Sequence, residues 1–354
     1  IGMYVEPWAW IALRLVSGAC LAGQYVVAES WLNQLVTNAN RARILSLYSL
    51  VTVVAYGIGQ LGVIVFDPEQ LTAYGIAAIL ISLAVAPVAL SEDAAPPMVD
   101  EPAHMSLREL LHVAPTGTVA SALVGVAHGA FLGLAATYAT RAGLSQTEIG
   151  LFVAAPTLGT LLFQMPISAA ADDIDRRAVG ALAAITAAAA SAVLIVVETD
   201  SWIGYAVMVV IGGTTYPLYS IAGAYTNDWV PAEKLMAVAS QLVVLFGAGA
   251  FVGPFLASIF MTAFGNRGFP AVIVGVHLVI AAWLLLRLFQ WRAPLRAKPW
   301  NEVALAGRVF YIPATVVGMG RRIRANRDQR VIVPGATEID HDMIPPDDRD
   351  RPSA

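Results

Sequence analysis

Nine stretches of the chain are apolar for about twenty residues or more: 8–30, 43–66, 71–90, 114–138, 148–171, 178–198, 202–225, 235–263 and 270–290. A helix that crosses a bilayer needs about 20 such residues. None of the runs alternates as a barrel strand does, and each is too long for a strand of about 9–11 residues. The pattern predicts nine membrane-spanning helices joined by short polar connections. Many runs are rich in Gly, Ala, Ser and Thr, which let helices approach closely in lipid.

One connection is long and polar. Residues 91–113 contain Pro96, Pro97 and Pro102 with Glu92, Asp93, Asp100 and Glu101. Three runs precede it and six follow. The predicted organisation is a helix bundle over 1–90, a central cytoplasmic loop over 91–113, a six-helix bundle over 114–290 and a polar tail over 291–354. The tail carries the basic stretch Arg321-Arg322-Ile-Arg324-Ala-Asn-Arg327 and an acidic, proline-containing end, and is expected to be disordered. Three further helices ahead of residue 1 would make two repeats of six, the plan of many carriers whose site lies between the halves. The first residue, Ile1, and the lack of a basic leader fit a chain whose beginning is missing. A weak internal echo agrees with two repeats: Tyr56-Gly-Ile-Gly in the second run and Phe246-Gly-Ala-Gly in the eighth.

Composition narrows the class. The chain of 354 residues is 58% hydrophobic and 13% charged, with mean hydropathy +0.68. Soluble domains average roughly 45–50% apolar and 25% charged residues, so a water-soluble globule is excluded. The net charge of −4 argues against nucleic-acid binding. A single cysteine, Cys20, rules out a disulfide framework. Arg and Lys fall ten on one side of the connections and two, Arg141 and Arg267, on the other. By the positive-inside rule this puts the C-terminus in the cytoplasm. No metal cluster, phosphate loop or nucleophile motif is present in the sequence, so no enzyme activity, cofactor or metal is expected.

Polar groups inside the runs are the candidates for chemistry, because they are costly in lipid and face cavities or partners. Arg14 offers either a fixed positive charge in a cavity or a structural arginine bonded to carbonyls. His128 and His277 lie in mid-run, where an imidazole can carry a proton or join helices. Gln24, Gln60, Gln164 and Gln241 could bond a solute or a neighbouring helix. Tyr216 and Tyr219 flank Pro217, which is predicted to bend its helix. Glu29 near Arg41 and Arg43, and Asp172 near Arg176 and Arg177, sit at cytoplasmic ends of the runs. They form either gate contacts or structural clamps.

Five segments together resemble the major facilitator superfamily, and more closely its YcaD-type branch. They are Trp10-Ile-Ala-Leu-Arg14-Leu-Val-Ser-Gly18, Val27-Ala-Glu29-Ser30-Trp31-Leu32, Asn40-Arg41-Ala42-Arg43 with Gly59-Gln60-Leu61, Tyr216-Pro217-Leu218-Tyr219-Ser220 with Asn227-Asp228, and Gly247-Ala-Gly249-Ala-Phe-Val-Gly253-Pro254. The resemblance covers about residues 8–290. It implies an all-α integral membrane protein with a major-facilitator-type bundle, nine helices being present of twelve. The segment Ser168-Ala-Ala-Ala-Asp172-Asp173-Ile-Asp175-Arg176-Arg177 departs from the family's Gly-x-x-x-Asp-Arg-x-Gly-Arg-Arg pattern by losing both glycines and placing an acid in the middle. The fifth-helix Gly-Pro motif of drug–proton antiporters is also missing.

The resemblance implies a secondary active transporter of a small solute in the bacterial inner membrane, working by alternating access, coupled to protons and monomeric. Efflux is favoured over uptake. Arg14, Gln24, Gln60, His128, Gln164, Tyr216, Tyr219 and Gln241 are then cavity or coupling residues. Glu29, Arg41, Arg43, Asp172, Arg176 and Arg177 are gate residues. The alternatives are a fragment without transport activity and a membrane receptor or enzyme.

Overall fold

A computed structural model describes residues 6–35, 41–66, 70–90, 105–231 and 234–290. The tail and most of the long connection lie outside the described residues. The helices are α1 (Pro7–Leu35), α2 (Arg41–Val65), α3 (Leu71–Ala89), α4 (Leu107–Val113), α5 (Pro115–Arg141), α6 (Gln146–Asp173), α7 (Arg176–Val193), α8 (Trp202–Asn227), α9 (Leu235–Phe264) and α10 (Gly268–Gln290). Each of the nine apolar runs coincides with one of them, and there is no strand among the described residues. By length and apolarity, five described stretches suffice to cross a membrane: Pro115–Arg141, Gln146–Asp173, Arg176–Val193, Trp202–Asn227 and Ala237–Gln290. The last holds both α9 and α10. Val51–Gly62 and Leu71–Pro87 are shorter apolar helical stretches. The seven-residue α4 closes the long polar connection.

Helix starts follow local chemistry. Ser145 begins α6 with a capping box: its hydroxyl accepts from the Glu148 amide, and Glu148 accepts from the Ser145 amide. Ser106 and Ser201 cap α4 and α8 through their hydroxyls, which accept from the Glu109 and Gly204 amides. Each satisfies amides that a helix leaves unpaired at its first turn. Proline does not stop the longer helices, and α8 continues through Pro217 to Asn227.

Close packing in α5–α10 comes from glycine. Gly125 and Gly129 of α5 lie against the carbonyls of Phe246 and Ala250 on α9, so that a Cβ at either position would collide with them. Gly249 and Gly253 of α9 meet the carbonyls of Ala122 and Val126 in return. Gly159 and Gly212 bring α6 and α8 together likewise, against Val209 and Pro156. Without a hydrophobic force between helices in lipid, such backbone approach supplies the attraction. Large apolar side chains such as Phe251 and Phe255 are exposed at 69% and 57%, as suits a surface facing hydrocarbon.

The N-terminal helices make fewer described contacts. α2 packs on α6, where the Cβ position of Gly57 is 3.2 Å from a methyl of Thr157 and Gln146 donates to the Phe66 carbonyl at 3.0 Å. Trp10 of α1 meets Tyr74 of α3 edge to face at 6.5 Å between ring centroids.

Candidate functional site

Two polar groupings stand out within α5–α10. The first lies at mid-helix, between α5, α8 and α10. A small cavity there is lined by Ala127, His128, Phe131, Ile211, Gly212, Thr215, Tyr216, Ile273 and His277. Its volume of about 10 Å³ is at the lower limit for one water molecule. Both imidazoles are buried. In each, Nδ1 reaches the carbonyl one turn earlier on its own helix: Val124 at 3.2 Å for His128 and Ile273 at 2.7 Å for His277. A carbonyl only accepts, so Nδ1 carries the hydrogen in both rings. The Nε2 of His277 takes the Thr215 hydroxyl at 2.9 Å, which ties α10 to α8.

Aromatic rings enclose His128. Tyr216 meets it edge to face at 4.5 Å between centroids, and Phe246 of α9 stands at 5.2 Å. Tyr219 in turn contacts Phe246 at 4.9 Å. Tyr56 of α2 lies in the neighbourhood of Tyr216.

The second grouping lies at the end where α6 and α8 finish and α5 and α7 begin. Arg176 donates from Nε to Asp228 at 2.9 Å and from its terminal nitrogen to Asp172 at 3.1 Å. One guanidinium thus joins α6, α7 and α8. Arg177 grips Asp175 through two nitrogens, at 3.0 and 2.7 Å, and donates to the Arg287 carbonyl at 2.8 Å. Its guanidinium also stands over the Tyr225 ring at 5.7 Å. Arg287 donates to the Thr116 hydroxyl at 3.0 Å, and Trp283 to the Thr116 carbonyl at 3.1 Å. The ends of five helices are joined by charge and hydrogen bonds.

Asp175, the acid in place of the family's glycine, has a positive structural role. It caps α7, accepting from the Arg177 amide at 2.9 Å. The turn before it needs no left-handed residue, for no non-glycine residue among those described has a positive φ.

The structure brings His128 and Tyr216 together, with Tyr219 alongside, and gathers Asp172, Arg176 and Arg177 at one end. Gln164 is buried on α6. Gln241 is half-buried and donates to the Met105 carbonyl at 3.3 Å, near α4, away from the histidines. Gln60 is half-buried on α2, while Arg14 and Gln24 are exposed on α1. None of these three lines the mid-helix cavity. Glu29, Arg41 and Arg43 lie on α1 and α2 where the side chains are outside the described residues. The sequence reading missed Thr215, Asp175, Arg287 and the pairing of Asp228. It noted His277 but did not place it with His128. The Asn227-Asp228 motif and the altered Ser168–Arg177 segment, which contains Asp175, gave the signals for these groups. No group of three or more metal-ligating side chains occurs among the described residues.

The chain is similar to the uncharacterized MFS-type transporter YE1530 of Yersinia enterocolitica, at 25% identity over 295 residues, 83% of this chain and 76% of that protein. It is similar also to the uncharacterized MFS-type transporter YcaD of Escherichia coli O7:K1, at 26% over 306 residues, 80% of this chain and 74% of that protein. The YcaD of Shigella flexneri serotype 5b gives 26% over 304 residues, with the same coverage. No solved structure matches the chain. The family model of the Major Facilitator Superfamily matches residues 117–327, which takes in the glycine-packed helices, the histidine site and the ion-paired end. That is more than half of the chain, and the chain belongs to the Major Facilitator Superfamily of multi-pass membrane transporters.

Proposed function

We propose that the protein is a proton-coupled secondary transporter that exports a small solute across the bacterial inner membrane by alternating access. The single observation that carries this is the pairing of two features in one bundle. A buried polar site lies at mid-helix with Tyr56 of α2 in its neighbourhood, and an ion-paired clasp closes one end of the same helices. Carriers of this plan place the solute site near the bilayer midplane between two helix bundles that rock around it.

Residues 114–290 form the C-terminal bundle in this reading, 1–90 belong to the N-terminal bundle, 91–113 link them at the cytoplasmic face and 291–354 extend into the cytoplasm. The arginine-rich end is the cytoplasmic one. His128, Gln164, Tyr216 and Tyr219 lie on the cavity side of the C-terminal bundle, with Gln60 opposite on α2. Arg14, Gln24 and Gln241 join them only if the opening and closing of the bundles brings them inward. Asp172, Arg176 and Arg177 form the gate clasp, with Glu29, Arg41 and Arg43 as its counterparts in the other bundle. Solute, protons and lipid are the partners, and the working unit is the monomer. The helix-end network is of the kind that holds one state until a solute shifts the balance.

The test is proton movement in proteoliposomes of the full-length protein, followed with a pH-sensitive dye while a solute panel is applied. A solute-dependent pH change is expected. Folded protein that moves neither protons nor any labelled solute of the panel overturns the reading.

A further inference from the structure

The two buried histidines share a tautomer but not a fate. His277 is satisfied at both nitrogens: Nδ1–H donates to the Ile273 carbonyl, and Nε2 accepts from Thr215. That fully accounts for it as a cross-link between α8 and α10. His128 is satisfied at one. Its Nδ1–H donates to the Val124 carbonyl, which leaves the basic lone pair on Nε2. That atom makes no hydrogen bond among the described residues, and its ring lines the small cavity.

The surroundings suit a cation that comes and goes. Tyr216 and Phe246 press on the ring from α8 and α9. Aromatic faces attract a positive charge, most strongly where water is excluded. The titratable groups that line the cavity are His128, Tyr216 and His277, with Tyr56 of α2 in the neighbourhood of Tyr216. The α9 contribution there is the apolar Phe246. Among the described residues no carboxylate or guanidinium lines the cavity, so no fixed counter-ion there would hold a proton permanently. Two imidazolium charges lining one small cavity repel, so one proton is the capacity of the pair. The bonding of His277 to Thr215 leaves His128 as the one to take it.

We infer that His128 is the group that binds the transported proton, accepting it at Nε2 and holding the imidazolium between the rings of Tyr216 and Phe246. The inference rests on the proton-coupled reading of the protein and names the residue that performs the coupling. No bond other than N–H is made or broken. The proton arrives from water when the bundle opens on one side and returns to water on the other.

The experiment is nitrogen-15 NMR of the full chain, labelled at histidine and held in lipid nanodiscs, from about pH 8 down to about pH 4, with no solute added. The chain has five histidines, and a His→Gln replacement at each position assigns the signals. If His128→Gln does not fold, the other four replacements assign His128 by elimination. The expected result is that His128 and His277 both carry hydrogen on Nδ1 at pH 8. On acidification His128 gains a hydrogen on Nε2 reversibly, and His277 keeps its neutral signature. A His128 signal that is unchanged down to pH 4, a hydrogen on Nε2 at pH 8, or protonation of His277 in its place overturns the inference. This readout needs no transport. A titrating His128 in a protein that moves nothing therefore counts against the transporter reading, and solute-linked proton movement with a silent His128 counts against this one.

Discussion

The Nε2 of His277 and the hydroxyl of Thr215 lie 2.9 Å apart, both buried, on two residues 62 apart in sequence. Hydrogen bonds between membrane helices average about 0.6 kcal/mol and reach about 1.7 kcal/mol. Thr215→Val keeps the shape and removes the donor. It is expected to cost about 1–2 kcal/mol, at the upper end because it leaves Nε2 unsatisfied. Unfolding in detergent measures this, and the double replacement with His277→Leu is expected to be less destabilised than the two single costs added.

Arg176 shares its guanidinium between Asp172 and Asp228, and its side chain is only 9% exposed. Asp228→Asn keeps the Asp172 contact and removes one charge pair. Arg176→Gln removes the cation common to both acids. The pairs are neither fully buried nor free in water, and the expected cost of the arginine change is about 1–3 kcal/mol, between the two limits. The aspartate change should cost less than half of that. Transport assays with any solute the protein moves should show Arg176→Gln slowing the closed-to-open cycle more than Asp228→Asn. Equal effects would mean that the clasp does not act through a shared cation.

The bundle itself was legible in the sequence because an apolar run of sufficient length is a local property. The nine runs fall on nine of the described helices for that reason. Asp172, Arg176 and Arg177 stand out in the sequence because they make a short charged break between two apolar runs. Asp172 lies in the last turn of α6 and Arg176 opens α7, and the turn between the helices brings the two together. Their partner Asp228 lies 52 residues from Arg176, and only the fold brings it there. His277 shows the opposite limit. A lone histidine in an apolar run looks the same whether it knits two helices or faces a cavity, and Thr215 carries no signal at all until α8 and α10 are packed. Arg14 stood out as a charge within an apolar run, yet that pattern does not say which side of the helix meets a cavity. It is exposed on α1 here.

Glycines that look alike in the sequence should separate sharply on substitution. At Gly129 an added Cβ would collide with the carbonyl of Ala250, whereas at Gly247 and Gly275 nothing described lies within 4 Å. Gly129→Ala must push α5 from α9 and is expected to cost about 1–3 kcal/mol. Gly247→Ala and Gly275→Ala meet no such wall and gain from lower backbone freedom in the unfolded chain, by about 0.5–1 kcal/mol. Thermal unfolding of the three variants in detergent checks the sign. A Gly129→Ala protein as stable as the parent would show that the two helices are not in backbone contact.

The hold of α4 on α9 should depend on pH. Lys234, at the start of α9, lies 2.7 Å from Glu109 of α4. The hydrogen bond from that ammonium, with its charge, holds the Glu109 carboxyl below the ordinary glutamate range. A carboxyl depressed in the folded state adds stability above its unfolded value, near 4.3. That stability is lost as the pH falls through the folded value. Both side chains are more than a third exposed, so the effect is local and screened by salt. The protection of residues 107–113 against hydrogen exchange, taken relative to the intrinsic rate at each pH, should therefore fall below about pH 4 in low salt and change little between pH 6 and 8. Lys234→Gln should lower that protection at neutral pH and flatten its acid-induced loss. If the acid response survives that substitution intact, the pH sensitivity of α4 arises from some group other than this pair.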